Sequence, residues 1–192
     1  MLQDLLSQVL SGGTTEQMSR QIGADESQTS AALQVALPLI IGALSRNTSS
    51  QQGADSLFNA VTNDHNGSLL DNIGGFLSNS NQGPGAGILG HIFGNRQQAV
   101  ASEISQQSGL NIGQVAQLLI MLAPLVMAVL GRTQQAQGLD AGGLAGALAG
   151  QQQQYEHPSS PLMNIATQLL DSDHDGSMVD DIAGLAAKYF AR

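Results

Sequence analysis

The apolar run "AALQVALPLIIGALSR", from Ala31 to Arg46, is followed by a second, "QLLIMLAPLVMAVLGR", from Gln117 to Arg132, with the proline, several leucines and the arginine in register. Pro124 lies 86 positions after Pro38, and Arg132 lies 86 after Arg46; Gly109 and Gly23, Ile104 and Met18, and Gln107 and Gln21 keep that offset. A chain that writes one helix-like pattern twice is constrained to build one unit twice and to bury the apolar faces of both. Further along the offset is larger: His174, Gly176, Ser177, Asp180 and Ile182 match His65, Gly67, Ser68, Asp71 and Ile73 at 109 positions. The difference between the two offsets, 23 residues, is an insertion in the second copy. It falls in "GLDAGGLAGALAGQQQQYEHPSSP", where Gly, Ala and four consecutive Gln depart from the first copy.

The resulting reading is an all-α chain of two tandem degenerate helical repeats packed as a bundle, with Asp-Gly-Ser turns leading from loop into helix. Residues 1–80 form repeat 1, 81–90 a Gly-rich linker, and 91–192 repeat 2, whose insertion occupies about 133–160. The run Leu118 to Leu130 is 13 residues, short of the ~20 needed to cross a bilayer. Gln34 and Gln117 lie in or beside the runs and no Trp or Tyr belt flanks them, so buried core helices are expected and no transmembrane span. Pro38 and Pro124 are expected to kink these helices or divide each in two, since proline lacks an N–H and its ring crowds the preceding turn.

After each Gly-Ser pair apolar residues return at helical spacing: Leu69, Ile73, Phe76 and Leu77 in one copy, Met178, Ile182, Leu185 and Tyr189 in the other. Ser68 and Ser177 read as helix N-caps, with Asp71 and Asp180 three residues on in a shortened capping box. Gly85-Ala86-Gly87-Ile88-Leu89-Gly90 matches a dinucleotide-binding fingerprint in form, but Ser, Asn and Gln precede it where a strand is required. It reads as linker. Gly142, Gly146 and Gly150 have small-residue spacing, and with the Gln tract beside them they read as a flexible or short packing helix rather than a membrane helix.

Charge removes several function classes. Six Lys and Arg against fifteen Asp and Glu give a net charge of −9, and the cations are scattered. Nucleic-acid binding rests on clustered cations that neutralise phosphates, so it is disfavoured, as is an anionic membrane surface. Charged residues are 11% of the chain and apolar residues 42%; disorder combines low hydrophobicity with high charge, so a folded body with a neutral polar surface is expected. The absence of cysteine excludes disulfides, a thiolate nucleophile and a zinc–thiolate site. "MLQDLLSQVLSGG" carries Asp4 where a signal peptide has Lys or Arg, and a cytoplasmic location is the expectation.

The segment "LLDSDHDGSMVDDI", Leu169 to Ile182, carries the sharpest chemistry. Calcium takes six to eight oxygens at ~2.3–2.6 Å, and a loop with side-chain oxygens at positions 1, 3 and 5, a glycine turn at 6 and a carbonyl at 7 wraps it. Asp171, Asp173, Asp175, Gly176 and Ser177 fill those positions. Position 12, where an EF-hand places a bidentate Glu, is Ile182; Asp180 and Asp181 stand in from positions 10 and 11. Five aspartates within eleven residues repel one another unless a cation lies among them. The candidate calcium ligands are therefore Asp171, Asp173, Asp175, Ser177, Asp180 and Asp181. In the first copy Thr62, Asp64, Asn66 and Ser68 hold the corresponding places, so the turn is kept and the charge is shed. His65 and His174 occupy position 4, which points away from an ion, and read as surface residues.

The pairing of "LPLIIGALSR" and "LAPLVMAVLGR" with the downstream "LLDSDHDGSMVDDIAGL" resembles the bacterial domain of unknown function 937, which includes YidB-like proteins. The resemblance extends from about Leu2 to Phe190, implies an all-helical fold and brings no established activity. The leading reading is a non-enzymatic structural or interaction protein with a calcium loop in its second repeat and a protein partner. The four His show no partner constellation and no nucleophile-elbow pattern is present, which places an enzyme of unknown reaction behind it. A DNA-binding or regulatory helical module is the remaining alternative.

Overall fold

A computed structural model of the protein describes Ser7 and residues 13–65, 67–80 and 83–155. Among them every regular element is helical: α1 (Gly13–Ile22), α2 (Glu26–Asn47), α3 (Gln51–Asn63), a 3-10 turn (Ser68–Asn72), α4 (Ile73–Ser78), α5 (Gly85–Phe93), a second 3-10 turn (Gly94–Arg96), α6 (Gln97–Ser108), α7 (Ile112–Gln137) and α8 (Ala141–Tyr155). The all-α expectation holds for these residues.

The buried positions explain why each segment is a helix. In α1 they are Thr15, Met18, Ser19 and Ile22, and in α3 Ala54, Leu57 and Val61, spacings of three and four that line one face of a 3.6-residue helix. Local start signals agree. Ser50 accepts the Gly53 N–H at the head of α3. Asn111 and Gln114 form a reciprocal capping box at the head of α7, both bonds at 3.0 Å. The same Gln114 amide donates to the Ile22 and Gly23 carbonyls, so the start of α7 is tied to the end of α1.

Helix α7 is the axis of the body: α1, α3, α5, α6 and the first 3-10 turn pack against it, while α2 packs on α1, α5 and α6. Every residue from Met121 to Gly131 is buried, as expected of a helix that is apolar all round. Helices from both predicted repeats thus share one core. Leu144 and Leu148 of α8, inside the predicted insertion, are buried too. By length and composition α2 and α7, at 22 and 26 residues, are long and apolar enough to cross a membrane, although α7 is the more buried of the two within this body.

Two expectations are corrected. Of the two outcomes expected at the prolines, a kink or a division, division is ruled out, for α2 and α7 run unbroken through Pro38 and Pro124. An interior proline costs about 3 kcal/mol; fully burying one large aliphatic side chain returns about 1.5–3 kcal/mol, and Leu118, Leu122, Leu125, Val126 and Leu130 are all at most 1% exposed. Burial wins. Second, the region expected as linker from 81 to 90 is helical from Gly85 onward. Pro124 leaves the Ile120 carbonyl without its helical donor, and Gly85 is pressed against that carbonyl so closely that a Cβ would overlap its oxygen. The fingerprint-like glycine stretch is therefore part of a packed helix, with Gly85 admitting α5 to α7.

Candidate functional site

The predicted calcium ligands Asp171, Asp173, Asp175, Ser177, Asp180 and Asp181 lie outside the described residues. The corresponding turn of the first copy is described, and its geometry corrects the capping expectation. Gly67 has φ +91° and precedes the 3-10 turn, which has no side-chain cap, and Asn72, not Ser68, caps α4 by accepting the Gly75 N–H at 3.0 Å. Asp71 faces α7 instead. Its Oδ1 takes a 2.6 Å bond from Arg132 Nη2, which also donates to the Gly67 carbonyl at 3.1 Å. The loop thus docks on α7 through one guanidinium. Gly131 makes this possible, because a Cβ there would overlap the His65 carbonyl oxygen. Among the described residues no three His, Asp or Glu are grouped so as to hold a metal.

A cavity of about 550 Å3 opens beside this loop, between the end of α2, α3, α5 and α7. Its apolar walls are Leu44, Leu57, Ala60, Ile88, Ile92 and Met127. That volume lies within the ~300–1,000 Å3 typical of small-molecule sites, which are mostly apolar with few polar groups. Polar side chains at its margin divide into two sets. Thr48 donates to the Leu44 and Ser45 carbonyls, Ser56 to Gln52, and the Asn47 amide to the His91 and Ile92 carbonyls at the end of α5. These close helix ends. Asp64, His65 and His91 are the other set, and their side chains make no hydrogen bond or ion pair with a described residue.

The electrostatics of this set are uneven. His65, expected on the surface, is half-buried, and desolvation lowers its pKa against the opposing pull of the neighbouring Asp64 carboxylate. The imidazole is neutral at pH 7 and does not neutralise Asp64. Asp64 is moreover the C-cap of α3, at the negative end of the helix dipole, where an anion is disfavoured. Among the described residues no Lys or Arg lines the cavity. Sequence reading missed this site because its walls come from four helices; the one local signal was an aspartate closing the helical stretch Gln51–Asn63, where a cation is preferred.

The residues that build the cavity all lie within a span, 4–133, that matches the family model described as a bacterial protein of unknown function, DUF937. The match ends within α7, so the acidic segment Leu169 to Ile182 is not part of it. No curated protein and no solved structure matches the chain. With well over half of its length covered, the chain belongs to the bacterial DUF937 family.

Proposed function

We propose that this protein is a non-enzymatic helical binding module whose cavity between α2, α3, α5 and α7 receives a small, largely apolar guest. The observation that carries this reading is the cavity itself, about 550 Å3 with six apolar walls. Its hydroxyls and amide are engaged with helix carbonyls, which supports binding over chemistry. The uncharged solvatochromic dye Nile red is expected to shift to the blue at micromolar protein, and Ala60→Phe, which fills the space, to remove the shift. An unshifted dye, or a shift that survives in Ala60→Phe, overturns the reading.

A second element of the proposal is calcium in the acidic loop, with Asp171, Asp173, Asp175, Ser177, Asp180 and Asp181 as ligands. It is supported by contrast with the first copy, where Arg132 neutralises Asp71, while Asp180 at the matching position stands among four further aspartates. Calcium added to metal-free protein is expected to raise its melting temperature, since a ligand that binds only the folded state stabilises it by about 2.7 kcal/mol at a hundredfold excess over Kd. Asp173→Ala should lose that gain. An unchanged wild-type transition at millimolar calcium removes the site.

A further inference from the structure

We propose that the guest of this cavity is an amphiphilic cation, an apolar body carrying a protonated amine that comes to rest beside Asp64. The inference rests on the binding reading above and specifies its ligand class. Three observations select the cation. Among the described residues Asp64 is the only carboxylate in the lining, where no Lys or Arg is present. It has no ion-pair partner among those residues, whose ion pairs are Arg20–Glu16 and Arg132–Asp71. And it stands at the C-terminal end of α3, where a carboxylate works against the helix dipole. Asp64 is solvent-exposed, so its carboxylate is open to an ammonium carried by a guest that enters the cavity.

The chemistry is complementary at both ends. An alkyl or aryl body gains by leaving water for the walls formed by Leu57, Ile92 and Met127. An ammonium offers three N–H donors, which suit a carboxylate and the neutral imidazole of His65 next to it. A carboxylate or phosphate guest would instead meet Asp64 with like charge and find no guanidinium or ammonium in the described lining. A neutral alcohol would fill the same walls without answering the carboxylate.

The test compares n-octylamine and n-octanoate below their micellar concentrations with n-octanol below its solubility limit, by displacement of Nile red at pH 7.5 and low salt. Octylamine is expected to bind roughly two- to fivefold more tightly than octanol, the scale of an ion pair to an exposed carboxylate, and octanoate more weakly than octanol. In Asp64→Asn the amine should fall to the level of the alcohol, while the ligand-free variant melts at a higher temperature than wild type because the dipole conflict is gone. This last readout shows that the variant is folded. Equal affinities for amine and alcohol in wild type, or an amine preference that survives Asp64→Asn, overturns the proposal and leaves the binding reading intact; a dye that does not bind at all overturns that reading first.

Discussion

Gly131→Ala is expected to lower the melting temperature by roughly 4–16 °C, the consequence of a loss of about 2–4 kcal/mol. The added Cβ would occupy the place of the His65 carbonyl oxygen and lie close to the Val61 carbonyl as well. Both opposing atoms are backbone, so no side chain can rotate away. Relief requires α3 and the following loop to lift from α7, and that movement strains the Arg132 bonds to Gly67 and Asp71. Gly87→Ala is the matched control: it lies in α5 with nothing within 4 Å of its Cβ position, and alanine there should stabilise by about 0.4–1 kcal/mol. Thermal unfolding followed by circular dichroism measures both. A Gly131→Ala transition within about 2 °C of wild type would mean that the loop does not press on α7 as described.

Leu122→Ala is expected to cost about 2–5 kcal/mol, the range for removing a buried leucine side chain and leaving a cavity. Leu122 is fully buried in the middle of α7, against which α1, α3, α5 and α6 pack. With neighbours on every side, collapse into the space requires several helices to shift together, which puts the cost toward the upper part of the range. Ile112, at the first position of the same helix and 50% exposed, should tolerate alanine to within about 0.5 kcal/mol. Urea unfolding gives both values; equal effects at the two positions would contradict the central place of α7.

Sequence periodicity was a good guide to what lies inside. Met18 and Ile104, paired by the offset of 86, are both fully buried, and Gly23 and Gly109, paired by the same offset, both follow a helix with positive φ. It misled where the outcome depends on a distant neighbour. The stretch from Gly85 has the glycine content of a linker, yet it becomes helix because α7 offers a surface on which Leu89, Ile92 and Phe93 are buried. Ser68 has the look of a cap, yet the chain tightens into a 3-10 turn there and hands the cap to Asn72, while Asp71 is drawn to Arg132.

What the sequence determined by itself is the all-helical class and the buried faces of the apolar helices, because apolar spacing is a relation between residues three and four positions apart. What only the tertiary structure decided is the cavity and the grip of Arg132 on a loop more than sixty residues earlier in the chain. A cavity is the space left where four helices fail to fill a common volume, and a cross-chain ion pair requires two backbones to arrive within hydrogen-bonding distance. Neither quantity is written in any short stretch of residues, so each becomes visible only after the helices are placed against one another.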